Sequence, residues 1–321
     1  MSVLVYAENR DGLFRKATLE LLSYAAEMAK AMNTHVVAIA IGCVQTDELV
    51  KLGQYGAVKV LKSNPDFNIL DIKAFAKIIV AAVEKEQATV ILFPGSINGS
   101  ALAPAVAARL KAGLVTGVVA LPTSFDPLVV KKMVFTGKAF AATKVTTPVK
   151  VLTLSQNSFG VAEPGTGAAV VEEFGVEAAK SAISLVEVKK QTGKVLLTDA
   201  EIVVSGGRGL KGPENFGLIE ELAELLGAAT GCSRPVSDEG WRPHSEHVGQ
   251  TGKIIAPVLY IACGISGAIQ HVGGISSSKH IVAVNNDKDA PIFDVADYGI
   301  VGDFKTVLPE MIAAIREVKA K

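Results

Sequence analysis

The run Ser205-Gly206-Gly207-Arg208-Gly209-Leu210-Lys211-Gly212 sets three glycines in a GxGxxG spacing and embeds a cation among them. In a nicotinamide fingerprint these glycines make a tight turn, let the backbone approach a pyrophosphate and pack a helix that starts at once. Pro213 stands where that helix should be under way, and Arg208 occupies the place of close backbone approach, so the sequence argues against the fingerprint. A plain glycine-rich turn explains the glycines but not the arginine. In Gly231–Trp241, Pro235 biases Arg234 toward extended backbone, which aims its guanidinium out of the loop. The alternative is a surface ion pair with Asp238 or Glu239. Val248-Gly249-Gln250-Thr251-Gly252-Lys253 imitates a Walker A loop, but the residue five before Gly252 is His247, and Ile254 stands where Ser or Thr must bind magnesium. That argues against ATP hydrolysis. His244, Glu246 and His247 lack a fourth ligand or a helical i,i+4 pairing, and read as a solvated loop.

A fourth segment, Gly264–His271, follows an apolar strand with small residues and then a helix, the order that puts backbone N–H groups on a phosphate. Ser266 adds a hydroxyl there. His271, by residue type and place alone, reads first as a structural histidine. Asn285 and Asp287 follow the strand Ile281–Val284, and Asp303 follows Val301-Gly302. Polar side chains at such places suit ribose and adenine, although caps and turns use them as well.

The elements that must position these loops alternate strand and helix. Val3–Ala7, Val36–Ile41, Lys59–Leu61 and Val90–Phe93 read as buried strands of a parallel sheet. Between them fall a helix with Leu19, Leu22, Ala26 and Ala29 on one face and Glu20 on the polar side, and a helix capped by Asp71. A further helix near Ala101–Leu110 and a strand near Val118–Leu121 follow. Val129–Phe135 and Val149–Leu154 have no helix between them and are expected to extend the sheet antiparallel. Glu187–Lys194 is polar and reads as a linker, with Lys189–Lys194 as its hinge. Beyond it the alternation restarts with strands at Ile202–Val204, Leu259–Cys263, Ile281–Val284 and Gly299–Val301. A helix from about Asn215 ends at Gly227, and a last helix carries Leu308, Met311, Ile312, Ile315 and Val318. The pattern predicts an α/β protein of two doubly wound domains with mostly parallel sheets, residues 1–188 and 189–321. In such sheets, loops after strand C-termini converge on one edge, where ligands bind.

Composition narrows the choice. Lys plus Arg and Asp plus Glu are both 32, so the formal net charge is zero, and nothing points to nucleic acid or an anionic membrane surface. Three cysteines with no CxxC fit a reducing compartment rather than a disulfide framework. No presequence or membrane span is visible, which suggests a cytoplasmic location, or a mitochondrial matrix one after presequence removal.

Together the segments SGGRGLKGPENF, CSRPVSDEGW, VGQTGK, LYIACGISGAIQHVGG, IVAVNNDKDAPIF and ADYGIVGDF closely resemble the alpha subunit of electron-transfer flavoproteins. The first half agrees more loosely, in its opening VLVYAE and its α/β plan. The resemblance implies a Rossmann-like FAD-binding second domain and a heterodimer with a beta subunit that docks on the first. It implies an electron carrier rather than an enzyme, taking electrons from flavoprotein dehydrogenases such as acyl-CoA dehydrogenases and passing them to a membrane quinone oxidoreductase. Arg208 and Ser233 would line the flavin pocket, and Arg234 would lie against the isoalloxazine. The backbone of Val248, Gly249 and Gln250 would run beside it, and Thr251 would donate at N5. Ser266, Gly267, Ala268, Ile269 and Gln270 would cradle the pyrophosphate and ribityl chain. His271 would reach the O2 edge, and Asn285, Asp303 and Phe304 would hold the AMP end. A reduced flavin gathers charge at N1–C2=O, where a cation or a histidine proton lowers its energy. The sequence departs from the commonest pattern around Arg242–His247. Two other readings stay open: a nicotinamide-dependent oxidoreductase using Gly207–Gly212, and a nucleotide sensor built on the first domain. The loop Glu8–Gly12 after the first strand has no phosphate-cradling glycines, which counts against the sensor.

Overall fold

The computed structural model describes residues 1–63, 70–135, 137–176, 186–187 and 195–320. The chain divides into two compact units, Met1–Lys189 and Lys190–Lys321. The expected hinge Lys189–Lys194 lies outside the described residues.

The first unit is built on β1 (Ser2–Tyr6), β2 (Val36–Ile41), β3 (Ala57–Ser63) and β4 (Ala88–Pro94). Strands β1 and β2 are buried throughout, which is why their sequences run apolar without alternation. They are interleaved with α1 (Lys16–Ala31), α2 (Ile72–Glu86) and α3 (Ile97–Leu110). The Asp71 side chain accepts from Ala74 N at 3.0 Å and starts α2, and Ser96 does the same for α3 through Gly99 N. After α3 come β5 (Gly113–Val118), β6 (Leu128–Val134), β7 (Ala139–Val145), β8 (Lys150–Leu154) and β9 (Val170–Glu173). The sheet order is β7-β6-β5-β8-β4-β1-β2-β3-β9, with a two-residue strand at Ser124–Phe125 beside β6.

Three expectations fail in this unit. Strand β8 does not extend the sheet antiparallel: it inserts between β4 and β5, parallel to both. The cause is β7, whose alanine-rich sequence carries little strand propensity and hides it. It pairs antiparallel with β6 and turns the chain back, so β8 enters in the common direction. Strand β5 ends at Val118 instead of beginning there, because Leu114 and Val115 pair with Val151 and Leu152. Glu20 is buried rather than solvated. Its carboxylate accepts from the backbone N–H of Asn157, Phe159 and Gly160 at 2.8–2.9 Å, pinning the loop after β8.

The second unit is a five-stranded sheet of β10 (Ile202–Gly206), β11 (Ala229–Cys232), β12 (Leu259–Cys263), β13 (His280–Asn285) and β14 (Tyr298–Val301). Its order is β11-β10-β12-β13-β14, and every pair is parallel. Helix α4 (Phe216–Leu226) ends at Gly227 with φ +65°, as the sequence predicts. Phe216, Ile219 and Leu222 of α4 share one core with Phe304, Leu308 and Ile312 of the final helix (Phe304–Ala320). Val318 is exposed, beyond the reach of that core. Strands β11 and β12 flank β10, the first strand of the unit, so the topological switch point lies between β10 and β12.

Candidate functional site

A cavity of about 580 Å³ opens at the C-terminal ends of β10, β11, β12 and β13, across that switch point. Pockets for cofactors typically measure roughly 300–1,000 Å³. Its wall includes Arg208, Ser233, Arg234, Val248, Gly249, Thr251, Ser266, Ala268, Gln270, His271 and Asn285, all expected from sequence. Gln250, Gly267, Ile269, Asp303 and Phe304 do not line it. Gln250 supports it instead, its backbone N–H donating to Gln270 O at 2.8 Å. Gly267 has φ +89°, and a Cβ there would sit 2.3 Å from Ile292 N, so it serves the packing of the neighbouring loop. The Ile269 side chain is exposed. Asp303 and Phe304 border a separate small cleft that shares Gly209, Gly264 and Asn285 with the main wall. Phe304 is buried in the helix core, and Asp303 caps the last helix by accepting from Lys305 N. Asp287, read from sequence with Asn285 as suited to ribose and adenine, also lines the wall. Gly209, Pro235, His247, Gly264, Ile265, Ala290 and Pro291 complete it without a ligand role assigned from sequence. The signal for most of them was their place after β12 or β13.

The glycines of the first loop hold loops together. Gly207 N donates to Cys263 O at 2.8 Å and Gly209 N to Gly264 O at 2.9 Å. A Cβ at Gly207 would fall 2.1 Å from Gly264 O, and one at Gly209 2.7 Å from it. Single 3-10 turns, Arg208–Leu210 and Pro213–Asn215, replace the helix that a nicotinamide fingerprint requires. The GxGxxG match is therefore a packing motif that leaves Arg208 at the cavity.

Arg234 departs from the extended conformation expected for it. It opens a short helix, Arg234–Asp238, and the extended residue is Ser233, with ψ 161°. Pro235 is tolerated in the first turn, where its missing N–H costs nothing. Arg234 borders the cavity and also contacts Asp238 at 3.3 Å, with both side chains about 60% exposed. A pair so exposed is worth well under about 1 kcal/mol, too little to hold the guanidinium away from a ligand.

The segment expected to be a solvated loop is solvated at His244 but locked at its next turn. Glu246 and His247 are buried. The Arg242 guanidinium donates to both Glu246 oxygens, at 2.7 and 3.0 Å, and to Glu220 at 2.7 Å, over the ring of Phe216. Burial opposes the Arg242 charge, but Glu246 and Glu220 more than offset it and raise its pKa. The lock delivers the next residues to the cavity: Val248 N donates to Cys232 O, and Lys253 N to His247 O. Among the described residues no group of three or more His, Cys, Asp or Glu side chains could hold a metal ion.

His271 is only 6% exposed, and its Nε2 lies 2.8 Å from the Tyr260 hydroxyl. Its Nδ1 is buried without a hydrogen-bond partner, as is Nδ1 of His247. Two such atoms on cavity-lining residues, with two arginines in the same wall, fit a polar, anionic ligand. Burial pushes His271 down to about 4, against an opposing pull from the Val248 backbone. The unfolded chain takes up this proton near 6.5 and the native ring only near 4, so stability falls as pH drops through that window. The loss is at most about 3 kcal/mol. Urea titrations at pH 7 and pH 4.5 should show a smaller loss in His271→Gln than in the unaltered chain. Equal losses in both would contradict a neutral, buried His271.

An open parallel sheet with a cofactor-sized cavity across its switch point defines a dinucleotide-binding α/β domain. Residues 196–276 match the electron transfer flavoprotein FAD-binding domain, and residues 3–179 the electron transfer flavoprotein domain. The chain is 37% identical over 316 residues to the electron transfer flavoprotein subunit alpha of Syntrophomonas wolfei, covering 98% of each chain. It is 36% identical to that of Bacillus subtilis, with 98% of each covered, and 38% identical to that of Pseudomonas aeruginosa, covering 98% of this chain and all of the other. The chain belongs to the electron transfer flavoprotein family, among its alpha subunits, and its second unit is the FAD-binding domain. Among the described residues no helix is long and apolar enough to cross a membrane.

Proposed function

We propose that this chain is the FAD-holding half of a heterodimer with an electron transfer flavoprotein beta subunit. It accepts electrons from flavoprotein dehydrogenases, acyl-CoA dehydrogenases among them, and delivers them to a membrane quinone oxidoreductase. It acts as a carrier rather than an enzyme, in a bacterial cytoplasm, or in a mitochondrial matrix if a presequence has been removed. The observation that carries the reading is the switch-point cavity, whose wall joins Arg208, Arg234 and the half-satisfied His271 from three separate loops.

FAD, when bound, would supply the capacity to take up and release electrons. The chain supplies binding and electrostatics. Arg208, Ser233 and Arg234 would hold the ring system, Arg234 placing positive charge where reduction gathers negative charge. Val248, Gly249 and Gln250 would form the edge beside it, and Thr251 would donate at N5. Ser266, Gly267, Ala268, Ile269 and Gln270 would carry the pyrophosphate and ribityl chain, Gly267 and Ile269 through backbone alone. His271 would serve the O2 edge. Asn285 would reach the AMP end directly, with Asp303 and Phe304 contributing from the adjoining cleft. Residues 1–188 would be the docking platform for the beta subunit, with residues 189–321 as the cofactor domain.

The test is flavin stoichiometry. Co-expressed with its beta subunit, the chain should purify yellow with one FAD per heterodimer. Expressed alone, it should lose flavin on gel filtration. Slowly dissociating, stoichiometric FAD in the isolated chain would overturn the need for a partner, and a colourless heterodimer would overturn the cofactor role.

A further inference from the structure

His271 reaches the cavity wall from the short helix Ile269–Ile275, but one of its ring nitrogens is already engaged beneath the wall. Tyr260, in the middle of the sheet on β12, is fully buried, and its hydroxyl lies 2.8 Å from His271 Nε2. We infer that Tyr260 is a positioning residue: its hydroxyl donates to Nε2, which fixes the ring proton on Nδ1 and makes Nδ1–H the donor that His271 offers to a ligand in the cavity. The inference rests on the FAD-holding role proposed above for the identity of that ligand, a flavin carbonyl, but not for the proton's position.

The direction of the hydrogen bond follows from what surrounds it. Burial keeps both partners neutral, raising the phenol pKa and lowering that of the imidazole, so a single proton lies between oxygen and nitrogen. If Nε2 were the donor, the phenol hydrogen would need another acceptor inside the core. The side-chain oxygen nearby, Ser205 Oγ, is buried and outside hydrogen-bond geometry. Its hydroxyl has no other acceptor, so it can only point its own hydrogen at the phenol oxygen, and taking the phenol hydrogen instead would strand that of the serine. Donation from Tyr260 to Nε2 leaves no phenol hydrogen stranded, and a stranded buried donor costs about 1–3 kcal/mol. The tautomer of a histidine is set by the bond its other nitrogen makes. Nδ1, which has no protein partner within hydrogen-bond geometry, then carries the hydrogen, and the Val248 backbone, which favours a proton on this ring, acts in the same sense. A neutral donor, oriented from the core and held on a ring too buried to charge readily, suits a site where charge appears and disappears during turnover.

Nitrogen-15 NMR of the full chain labelled at its five histidines tests this directly, with His271→Gln identifying the His271 signals. The unaltered chain should show His271 as the Nδ1–H tautomer. Tyr260→Phe should shift the tautomer ratio toward Nε2–H by about tenfold or more. A tyrosine that merely filled space would lower stability on substitution and leave the tautomer unmoved. The Nε2–H form in the unaltered chain, or an unchanged tautomer in Tyr260→Phe, would overturn the inference. Should the variant not fold, the unaltered chain alone decides. In the heterodimer, Tyr260→Phe should retain FAD and lower its first reduction potential. A shifted tautomer with an unchanged potential would overturn the assignment of Nδ1–H to the flavin. Loss of FAD from the unaltered heterodimer would sink the cofactor role while leaving the tautomer result intact.

Discussion

Arg242→Leu is expected to destabilise the C-terminal unit by about 3–5 kcal/mol, the usual cost of removing one partner of a buried ion pair. The Arg242 and Glu246 side chains are only 13% and 9% exposed, and the contact is bidentate. Removing the guanidinium deprives the buried Glu246 carboxylate of its bidentate partner. The double variant Arg242→Leu/Glu246→Leu should recover most of the loss, because the penalty comes from the uncompensated charge rather than from the missing attraction. Trp241, the single tryptophan, lies next to the lock and reports the unfolding in urea. A single-variant cost under about 1 kcal/mol would mean that the pair behaves as a surface pair. The lock also bears on function, since His247 and Val248, which immediately follow Glu246, line the cavity.

Gly207→Ala is expected to weaken FAD binding by about tenfold to a hundredfold. The added Cβ would lie 2.1 Å from Gly264 O and 2.6 Å from its carbonyl carbon, so the first and fourth loops must separate at the base of the cavity. Forcing a methyl group into such a contact costs about 1–3 kcal/mol, and each 1.4 kcal/mol is tenfold in affinity. Gly217→Ala is the matched control. Gly217 sits in α4 with nothing within 4 Å of the new Cβ. There the same substitution should raise stability by about 0.5–1 kcal/mol and leave FAD affinity alone. Fluorescence titration of FAD into both variants, each with the beta subunit present, separates the outcomes. Equal affinities would mean that the contact of Gly207 with Gly264 does not shape the cavity.

The sequence was most informative where elements are buried on both sides. Val36–Ile41 and Leu259–Cys263 are continuous apolar runs, and each is a strand of that extent. It misled where a partner strand sets the direction. Lys150–Leu154 is visibly a strand, but its parallel orientation depends on Ala139–Val145, a half-exposed, alanine-rich return strand that strand propensity does not mark. Buried charges were the other blind spot. Glu20 and Glu246 look like ordinary surface carboxylates: the loop amides that bind the first come from distant positions, and the arginine that binds the second, four residues before it, is set against it only by the folded loop. Around the cavity, the loops following β10, β12 and β13 were legible, because the ends of parallel strands must converge on one edge, whereas β11, only four residues of ATGC, was not read as a strand. What could not be read was which residues in a loop face the cavity. Ser266 and Gly267 are neighbours, yet only Ser266 lines it, and Asp303 is taken up by the cap of its own helix.

A carrier of the proposed kind holds a flavin that exchanges electrons with flavoprotein dehydrogenases rather than with a nicotinamide. Anaerobic mixing of the FAD-loaded heterodimer with a trace of acyl-CoA dehydrogenase and its acyl-CoA substrate measures this, with flavin absorbance as the readout. The carrier role predicts bleaching that requires both dehydrogenase and substrate, and little change with NADH alone. Rapid bleaching by NADH without a dehydrogenase, or none with the dehydrogenases of the same cell, would contradict it.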